Sequence, residues 1–266
     1  MGVLNVTPDS FSDGGLFQNP AAAERRALRM EAEGAHLIDV GGESTRPGAR
    51  PVSAKEEMKR VRPVLKRLSK SVKIPLSIDT YKYEVALAAL DEGAVLVNDV
   101  TALRGNRRLA RLIARRKAGV VLMHMRGTPR TMQADTSYSH LLKEIRASLK
   151  RALDFALDAG IQKDRVLLDP GFGFGKSTEQ NLKILDHLNF FLSLGCPLLV
   201  GLSRKSFIGN VLGTSMGGRL YGSLGAAALA VLRGAHVLRV HDVLPHKQLA
   251  ALVDKTLKPV TEFSPS

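Results

Sequence analysis

The feature that most constrains the fold is a pattern that occurs eight times along the chain: a short apolar run, polar residues at its end, and then a helical stretch. The sixth copy is the most distinctive, because the run from Val166 to Leu168 leads into Asp169, Pro170 and a glycine-rich segment that ends at Lys176. A strand buried on both faces would here end in a carboxylate beside a loop whose backbone can approach a ligand closely. The pattern therefore predicts both a fold and the location of a site.

The apolar runs predict strands at residues 1–4, 36–40, 74–78, 95–97, 119–123, 166–168, 197–202 and 237–240. Helical patterns alternate with them at about 20–33, 53–68, 81–92, 106–117, 138–158, 178–193, 207–212, 220–233 and 245–257. Strict strand–helix alternation indicates a parallel sheet, and eight units can close into a barrel. A doubly wound open sheet would need a glycine fingerprint after its first strand, and Asn5-Val-Thr-Pro-Asp9 has none. We therefore predict a single-domain α/β fold, a (β/α)8 TIM barrel over residues 1–258, with a disordered tail over 259–266.

Composition limits the function classes. With 44% apolar and 24% charged residues the chain is typical of a globular protein, and no apolar run approaches the roughly 18 residues of a membrane helix. The single cysteine, Cys196, excludes an internal disulfide, and the N-terminus does not resemble an export signal. We expect a cytoplasmic protein without a membrane partner.

The net charge of +14 allows two interpretations. It could attract a polyanion or a phosphorylated substrate, or it could reflect solvated basic helices. The excess lies mainly in helical stretches with few aromatic residues, and no helix-turn-helix or zinc pattern accompanies it. We therefore expect no nucleic-acid partner.

Polar residues stand at all eight predicted strand ends, which share one rim in a barrel. They are Asn5, Glu43 with Thr45 and Arg46, Asp79, Asn98 with Asp99, His124, Asp169, Ser203 with Lys205, and Arg239 with His241. Each alone could be a turn, a cap or a satisfied core residue. Polar groups at every end favour an active site.

Two sub-sites are predicted within this rim. Arg239 and His241 share a strand face and lie near Asn5, since the first and last strands are neighbours in a closed barrel. They suit a phosphate or diphosphate, and the Asn5 oxygen could help to hold Mg²⁺. The second group suits a flat heterocycle that carries donors and acceptors; it contains Asp79, Asn98, Asp169 and Lys205.

The motifs at these strand ends, taken in order, resemble those of the dihydropteroate synthase family. They are Asn5-Val-Thr-Pro-Asp-Ser-Phe-Ser-Asp-Gly-Gly15, Gly41-Gly-Glu-Ser-Thr-Arg-Pro-Gly48, Ser77-Ile-Asp-Thr80, Asn98-Asp-Val100, Met123-His-Met-Arg-Gly-Thr-Pro129, Asp169-Pro-Gly-Phe-Gly-Phe-Gly-Lys176, Gly201-Leu-Ser-Arg-Lys-Ser206 and Arg239-Val-His-Asp-Val243. The resemblance covers essentially the whole chain, and the order of the motifs makes it specific.

The resemblance implies a transferase that joins 6-hydroxymethyl-7,8-dihydropterin diphosphate to p-aminobenzoate with magnesium. It places the pterin on Asp79, Asn98, Asp169 and Lys205, and the diphosphate on Asn5, Arg239 and His241, with Asn5 as the metal ligand. It assigns catalytic roles to Asp79, Asp169, Lys205 and Arg239. It places p-aminobenzoate near Phe11, Thr45, Arg46, Pro47, Phe172, Ser203 and Lys205. It also implies competition by sulfonamides and a homodimer through the last helices. From the glycines of the first two loops we predict that these loops close over the diphosphate.

Three other functions compete with this interpretation. A pterin-binding methyltransferase barrel would share the pterin acids but would not explain Arg239 and His241. A metal-dependent hydrolase would need a His-x-His pair in the first strand, which is absent. A basic scaffold or pseudo-enzyme would be expected to lack site residues, and all are present.

Overall fold

The computed structural model describes residues 1–7, 19–44, 48–128 and 130–257, and it contains one eight-stranded parallel sheet. The strands are β1 Gly2–Asn5, β2 Ile38–Gly41, β3 Leu76–Asp79, β4 Leu96–Asp99, β5 Gly119–Met123, β6 Val166–Asp169, β7 Leu198–Val200 and β8 Ala235–Leu238. The helices are α1 Pro20–Ala32, α2 Ala54–Ser71, α3 Tyr83–Asp91, α4 Arg107–Arg116, α5 Leu141–Asp158, α6 Thr178–Asp186, α7 Ser206–Leu212, α8 Leu220–Leu232 and α9 Val243–Leu257. The predicted tail and the residues Phe11, Thr45, Arg46 and Pro47 lie outside the described residues.

The sheet curls round until its last strand meets its first. The strands pair in chain order from β1 to β8, and Gly2 forms a parallel bridge with Val240, just beyond β8. The amide of Val3 donates to the carbonyl of Val240 at 2.9 Å, and the amide of Val240 donates to the carbonyl of Met1 at 2.9 Å. These bonds join the two edges, which confirms the predicted (β/α)8 barrel.

The barrel interior has an apolar layer below a polar one. Leu96, Val121 and Leu199 form a buried cluster inside the barrel, with further apolar side chains packed against it from neighbouring strands, namely Met1, Leu37, Leu167 and Val237. Residues two positions apart in a strand share a face, so the polar side chains at the strand ends stand directly above this layer. The apolar layer thus forms the floor of whatever site the rim contains.

Element boundaries differ from the predicted ones where polar residues continue the backbone ladder. We predicted that the fourth strand ends at Val97, but β4 includes Asn98 and Asp99, whose positions pair with Val121 and Leu122 of β5. Side-chain polarity does not end a parallel strand as long as a neighbour continues the hydrogen bonds.

The helix that we predicted over residues 178–193 also ends earlier. The α-helix stops at Asp186, and a 3₁₀ segment, Leu188–Leu194, follows it. The helix starts were better predicted, since Asn19 accepts from the amide of Ala21 and Ser53 from the amide of Glu56. Among the described residues, no helix has the length and apolarity needed to cross a membrane.

Candidate active site

Strand register brings three predicted site residues to one level of the rim. Asn5 is opposite Gly41, Gly41 is opposite Asp79, and Asp79 is opposite Asn98. A methyl group on Gly41 would lie 3.4 Å from Asn5 Oδ1 and 3.7 Å from Asp79 Oδ2. The missing side chain therefore leaves a gap into which both the amide oxygen and the carboxylate project.

Arg239 links the two predicted sub-sites through two carboxylates. Its Nε donates to Asp39 Oδ2 and its Nη2 donates to Asp79 Oδ2, each at 2.7 Å. Asn98 Nδ2 donates to the same Asp39 oxygen at 2.9 Å. The guanidinium is thus held by a fork of charge-assisted bonds, which fixes its orientation as well as its charge.

Asp39 is the central residue of this network, and it was not among the predicted site residues. It lies within β2 and is fully buried. An unpaired carboxylate inside a barrel would be costly, so its presence within an apolar run was a signal that a buried cation lies nearby. The cation is Arg239, which comes 200 residues later.

The carboxylate of Asp79 titrates abnormally in this environment. Burial raises the pKa of Asp79 to about 7, although the Arg239 guanidinium opposes the shift, and Asp39 adds to it. The carboxylates of Asp39 and Asp79 share the single positive charge of Arg239, so the three side chains together carry an excess of negative charge when both acids are ionised. A cationic ligand, or a ligand that donates hydrogen bonds, would therefore be favoured here.

Asp169 occupies the end of β6, beside the glycine-rich loop. Its Oδ1 accepts from the amide of Gly171 at 2.7 Å, and burial raises the pKa of its carboxyl group, opposed by that bond and by Lys205, Lys176 and Arg239. Gly171 has a φ of +74°, and a methyl group on it would lie 1.9 Å from the carbonyl oxygen of His124. Only glycine fits this close approach.

Lys205, which follows β7, extends towards the same acids. Burial and Arg239 lower the pKa of its ammonium to about 8, while Asp169 and Asp79 oppose the shift. Its Nζ lies 4.3 Å from the ring centroid of Phe174, which is a cation–π contact. The structure therefore brings Asp79, Asn98, Asp169 and Lys205 together, as the sequence analysis expected.

His241 and Ser203 lie together at the rim, where β7 and β8 end. The Ser203 hydroxyl is 3.2 Å from His241 Nδ1, and it also accepts from the His241 amide at 3.2 Å. Arg26 of α1 donates to the His241 carbonyl at 2.8 Å. Burial and Arg239 lower the pKa of His241 to about 3, so the neutral imidazole is present at neutral pH.

The two phenylalanines of the glycine-rich loop differ in accessibility. Phe172, which the resemblance assigned to p-aminobenzoate, is only 1% exposed and stacks on Phe207 with ring centroids 6.3 Å apart. It has almost no surface to offer a ligand in this structure, and its predicted role stays a prediction. Phe174 is the aromatic residue that faces Lys205, and the sequence analysis did not select it.

Three polar residues at the strand ends are used within the protein instead. Asp99 caps the following turn by accepting from the amides of Thr101 and Leu103 at 2.7 and 2.8 Å. Glu43 pairs with Lys82, and His124 contacts Lys176. For these three residues, the structure supports a structural role, as a cap or a satisfied core residue.

The metal predicted at Asn5 has a suitable donor there. The Asn5 amide oxygen borders the gap at Gly41, and Mg²⁺ takes few protein oxygens when substrate phosphates supply the rest. Over residues 1–7, 19–44, 48–128 and 130–257, no cluster of three or more His, Cys, Asp or Glu side chains could hold a metal ion without a substrate. The residues thus fit a metal that binds together with a diphosphate.

Comparisons with known proteins identify the family of the chain. The sequence profile of the family described as "Pterin binding enzyme" matches residues 1–241. The dihydropteroate synthase of Synechocystis is 44% identical over 255 residues, which cover 96% of this chain and 88% of the relative.

Two crystal structures of relatives are also similar. Yersinia pestis dihydropteroate synthase, solved as a complex with a sulfonamide drug, is 43% identical with a TM-score of 0.92, over 96% of this chain and 93% of that chain. The Xanthomonas albilineans enzyme with 4-aminobenzoic acid is 46% identical with a TM-score of 0.90, over 97% and 93%. The chain therefore belongs to the pterin-binding enzyme family and, within it, to the dihydropteroate synthases.

Proposed function

We propose that the chain condenses 6-hydroxymethyl-7,8-dihydropterin diphosphate with p-aminobenzoate, which gives 7,8-dihydropteroate and releases diphosphate. Membership of the dihydropteroate synthases supports this reaction. The observation that carries the proposal is that Arg239 joins an acidic, buried group of side chains to the end of the barrel that carries Asn5 and His241. One residue thereby contacts both places that the substrate must occupy.

The pterin ring is proposed to lie above the apolar floor, against Asp79, Asn98, Asp169 and Lys205. A carboxylate can accept two parallel hydrogen bonds from an aminopyrimidinone edge, and Asp169 still has Oδ2 beyond its bond to Gly171. Lys205 can donate to a ring acceptor while it stays on the face of Phe174. The buried position makes each of these bonds stronger than it would be in water.

The leaving group is proposed to lie at Asn5, Arg239 and His241. Magnesium, when bound through the Asn5 oxygen, would neutralise charge on the diphosphate. Negative charge that grows on the leaving group is stabilised by the Arg239 guanidinium, which Asp39 and Asp79 hold in place. A positive charge that develops on the pterin methylene is favoured by Asp79 and Asp169, and preorganised charges of this kind contribute a few kcal/mol each.

The second substrate is proposed to enter beside Lys205, whose ammonium lies over the Phe174 ring and within the field of Asp169 and Asp79. Thr45, Arg46, Pro47 and Phe11 retain the roles that the resemblance implies. One relative is solved with 4-aminobenzoic acid and another with a sulfonamide drug, which supports binding of both kinds of molecule by this chain. Sulfonamides are therefore expected to compete with p-aminobenzoate in this chain.

A cytoplasmic homodimer completes the proposal. Large apolar side chains are exposed on α8 and α9, among them Leu252 at 70% and Tyr221 at 83% exposure. A second copy of the chain could cover them. Light scattering of the purified protein would give twice the mass of the chain, and Leu252→Glu would reduce it to the monomer mass.

The deciding experiment supplies both substrates and magnesium to the purified chain and follows diphosphate release together with dihydropteroate formation. Stoichiometric amounts of both products are expected. A methyltransferase would release no diphosphate, and a binding scaffold would consume neither substrate. Omitting p-aminobenzoate is the control, since the condensation must then stop.

A further inference from the structure

Lys176, the last residue of the glycine-rich loop, is buried although it carries an amine. It is 4% exposed, and its Nζ donates to the carbonyls of Gly171 and Phe174 at 2.8 and 2.9 Å. The third contact is with His124 Nδ1 at 3.1 Å. An ammonium has three protons to donate, so these three acceptors satisfy it.

The contact with His124 fixes the state of the imidazole. When Lys176 is an ammonium, His124 Nδ1 must accept its bond, so the imidazole is then neutral with its proton on Nε2. Burial lowers the pKa of His124 to about 2, and Lys176 contributes to the shift. Burial also lowers the pKa of Lys176 to about 7 despite the attraction of Asp169, so Lys176 is a cation below that pH.

The loop that Lys176 holds is the one that shapes the site. The carbonyl of Gly171 accepts a hydrogen bond from Lys176, and the amide of Gly171 donates one to Asp169. The carbonyl of Phe174 also accepts a hydrogen bond from Lys176, and the ring of Phe174 forms the cation–π contact with Lys205. Lys176 is thus connected to Asp169 through Gly171 and to Lys205 through Phe174, and both belong to the predicted pterin group.

We propose that Lys176 is a positioning residue whose buried ammonium fixes the loop after β6 and keeps the Asp169 carboxylate ionised. The importance of this role for turnover rests on the proposed function, since Asp169 is the group that would accept the pterin. The three bonds donated by the Lys176 ammonium leave it no proton for a ligand. Lys176 therefore acts through Asp169 and the loop.

The charge balance at Asp169 explains why the ammonium matters. The cations that face Asp169 are Lys205 after β7, Arg239 after β8 and Lys176 in its own loop, while His124 after β5 is neutral. Arg239 already pairs with Asp39 and Asp79. Removing Lys176 leaves Asp169 with a single lysine and a shared guanidinium, so its protonated form becomes more favourable.

The test measures the ionisation of Asp169 directly, by carbon-13 NMR of labelled aspartate side chains in the ligand-free full chain, with Asp169→Asn to assign the signal. In Lys176→Met the titration midpoint of Asp169 should rise by about one pH unit or more, the size expected on losing a nearby opposite charge. Lys183→Met, on the exposed side of α6, is the matched control and should leave the midpoint unchanged.

A second pair of variants decides the matter if Lys176→Met does not fold. His124→Phe removes the third acceptor, makes the ammonium easier to deprotonate, and should raise the Asp169 midpoint by a smaller amount. His124→Asn places an amide oxygen near the former Nδ1 position and should restore the wild-type midpoint. An Asp169 midpoint that is the same in wild type, Lys176→Met and His124→Phe would overturn the inference.

Pterin affinity, measured by calorimetry with 6-hydroxymethylpterin at pH 6, separates this inference from the proposed function. A wild-type chain that binds no pterin contradicts the proposed function, while the NMR midpoints still decide the role of Lys176. If the wild type binds, Lys176→Met should bind more weakly, by up to about tenfold for each unit that the Asp169 midpoint rises.

Discussion

Two lysines at the rim of the barrel each lie between two carboxylates, yet they have different surroundings. Lys82, just before α3, contacts Glu43 and Glu57 directly, and Tyr81 donates to Glu43 at 3.2 Å. Lys205 is influenced by Asp79 and Asp169, but among the described residues its ammonium makes no hydrogen bond to either of them. Lys82 thus forms ion pairs with both of its carboxylates, whereas in the described part of the chain Lys205 forms a hydrogen bond with neither of its own.

The pKa values of the two lysines express this difference. At Lys82 burial would lower the pKa, but the contacts with Glu43 and Glu57 outweigh burial and raise it. At Lys205 burial and Arg239 prevail and lower the pKa to about 8. The ammonium of Lys82 is committed to its two glutamates, whereas the ammonium of Lys205 remains able to donate to a ligand.

The largest effect is expected from Lys205→Ala. Turnover should fall about 10³-fold, because a preorganised donor is lost from a buried site. Thermal unfolding should change little, since the ammonium forms no closed ion pair. Wild-type rates in Lys205→Ala, or a severe loss of stability, would remove the distinction between the two lysines.

Lys82→Met should have the opposite profile. It leaves two carboxylates facing each other in a buried place, which should cost about 3 kcal/mol in the free energy of unfolding, measured with urea. Folded protein at low temperature should retain turnover within about threefold. The double variant Lys82→Met/Glu57→Leu should recover part of the stability, because both members of one pair are then apolar. A Lys82→Met protein that stays stable but loses turnover would show that this cluster belongs to the site.

Arg239→Lys tests whether geometry matters beyond charge. A lysine keeps the positive charge but cannot donate from Nε to Asp39 and from Nη2 to Asp79 together, so kcat/KM should fall about 10²-fold. Steady-state assays with the pterin diphosphate varied would measure this. The matched control is Arg62→Lys, whose guanidinium pairs with Glu92 at the surface and which should behave as wild type.

The smallest effect is a pH dependence. Because the pKa of Lys205 is lowered to about 8, its ammonium is present below that pH and is lost above it. The value of kcat/KM should therefore decline above pH 8, by about tenfold at pH 9. In Lys205→Arg this decline should vanish at a lower overall rate, since a guanidinium stays protonated. A wild-type profile that is flat to pH 9.5 would contradict the assignment.

The strands and helices could be predicted because local patterns determine them. Parallel strands covered on both faces require continuous apolar runs, and caps such as Asn19 and Ser53 act within three residues of the chain. The end of β4 could not be predicted, because pairing with β5 decides it and not the polarity of Asn98.

The composition of the site was predictable only in part. Motif order gave Asp79, Asn98, Asp169, Lys205 and Arg239, and the structure places them together. The same reasoning could not tell that Glu43 and His124 are satisfied within the protein, since their partners come from distant elements. It also missed Asp39, whose role depends on a guanidinium at the opposite end of the chain.

The central claim is that the pterin binds at Lys205 and its neighbouring acids and not at Lys82 and its two glutamates. It can be tested by one crystal structure of the chain with a dihydropterin diphosphate analogue. The account predicts the ring above the apolar floor, with Asp169 on its aminopyrimidinone edge and the phosphates beside Arg239 and His241. A ring bound against Glu43 and Lys82, with Asp169 and Lys205 free of ligand contacts, would contradict it.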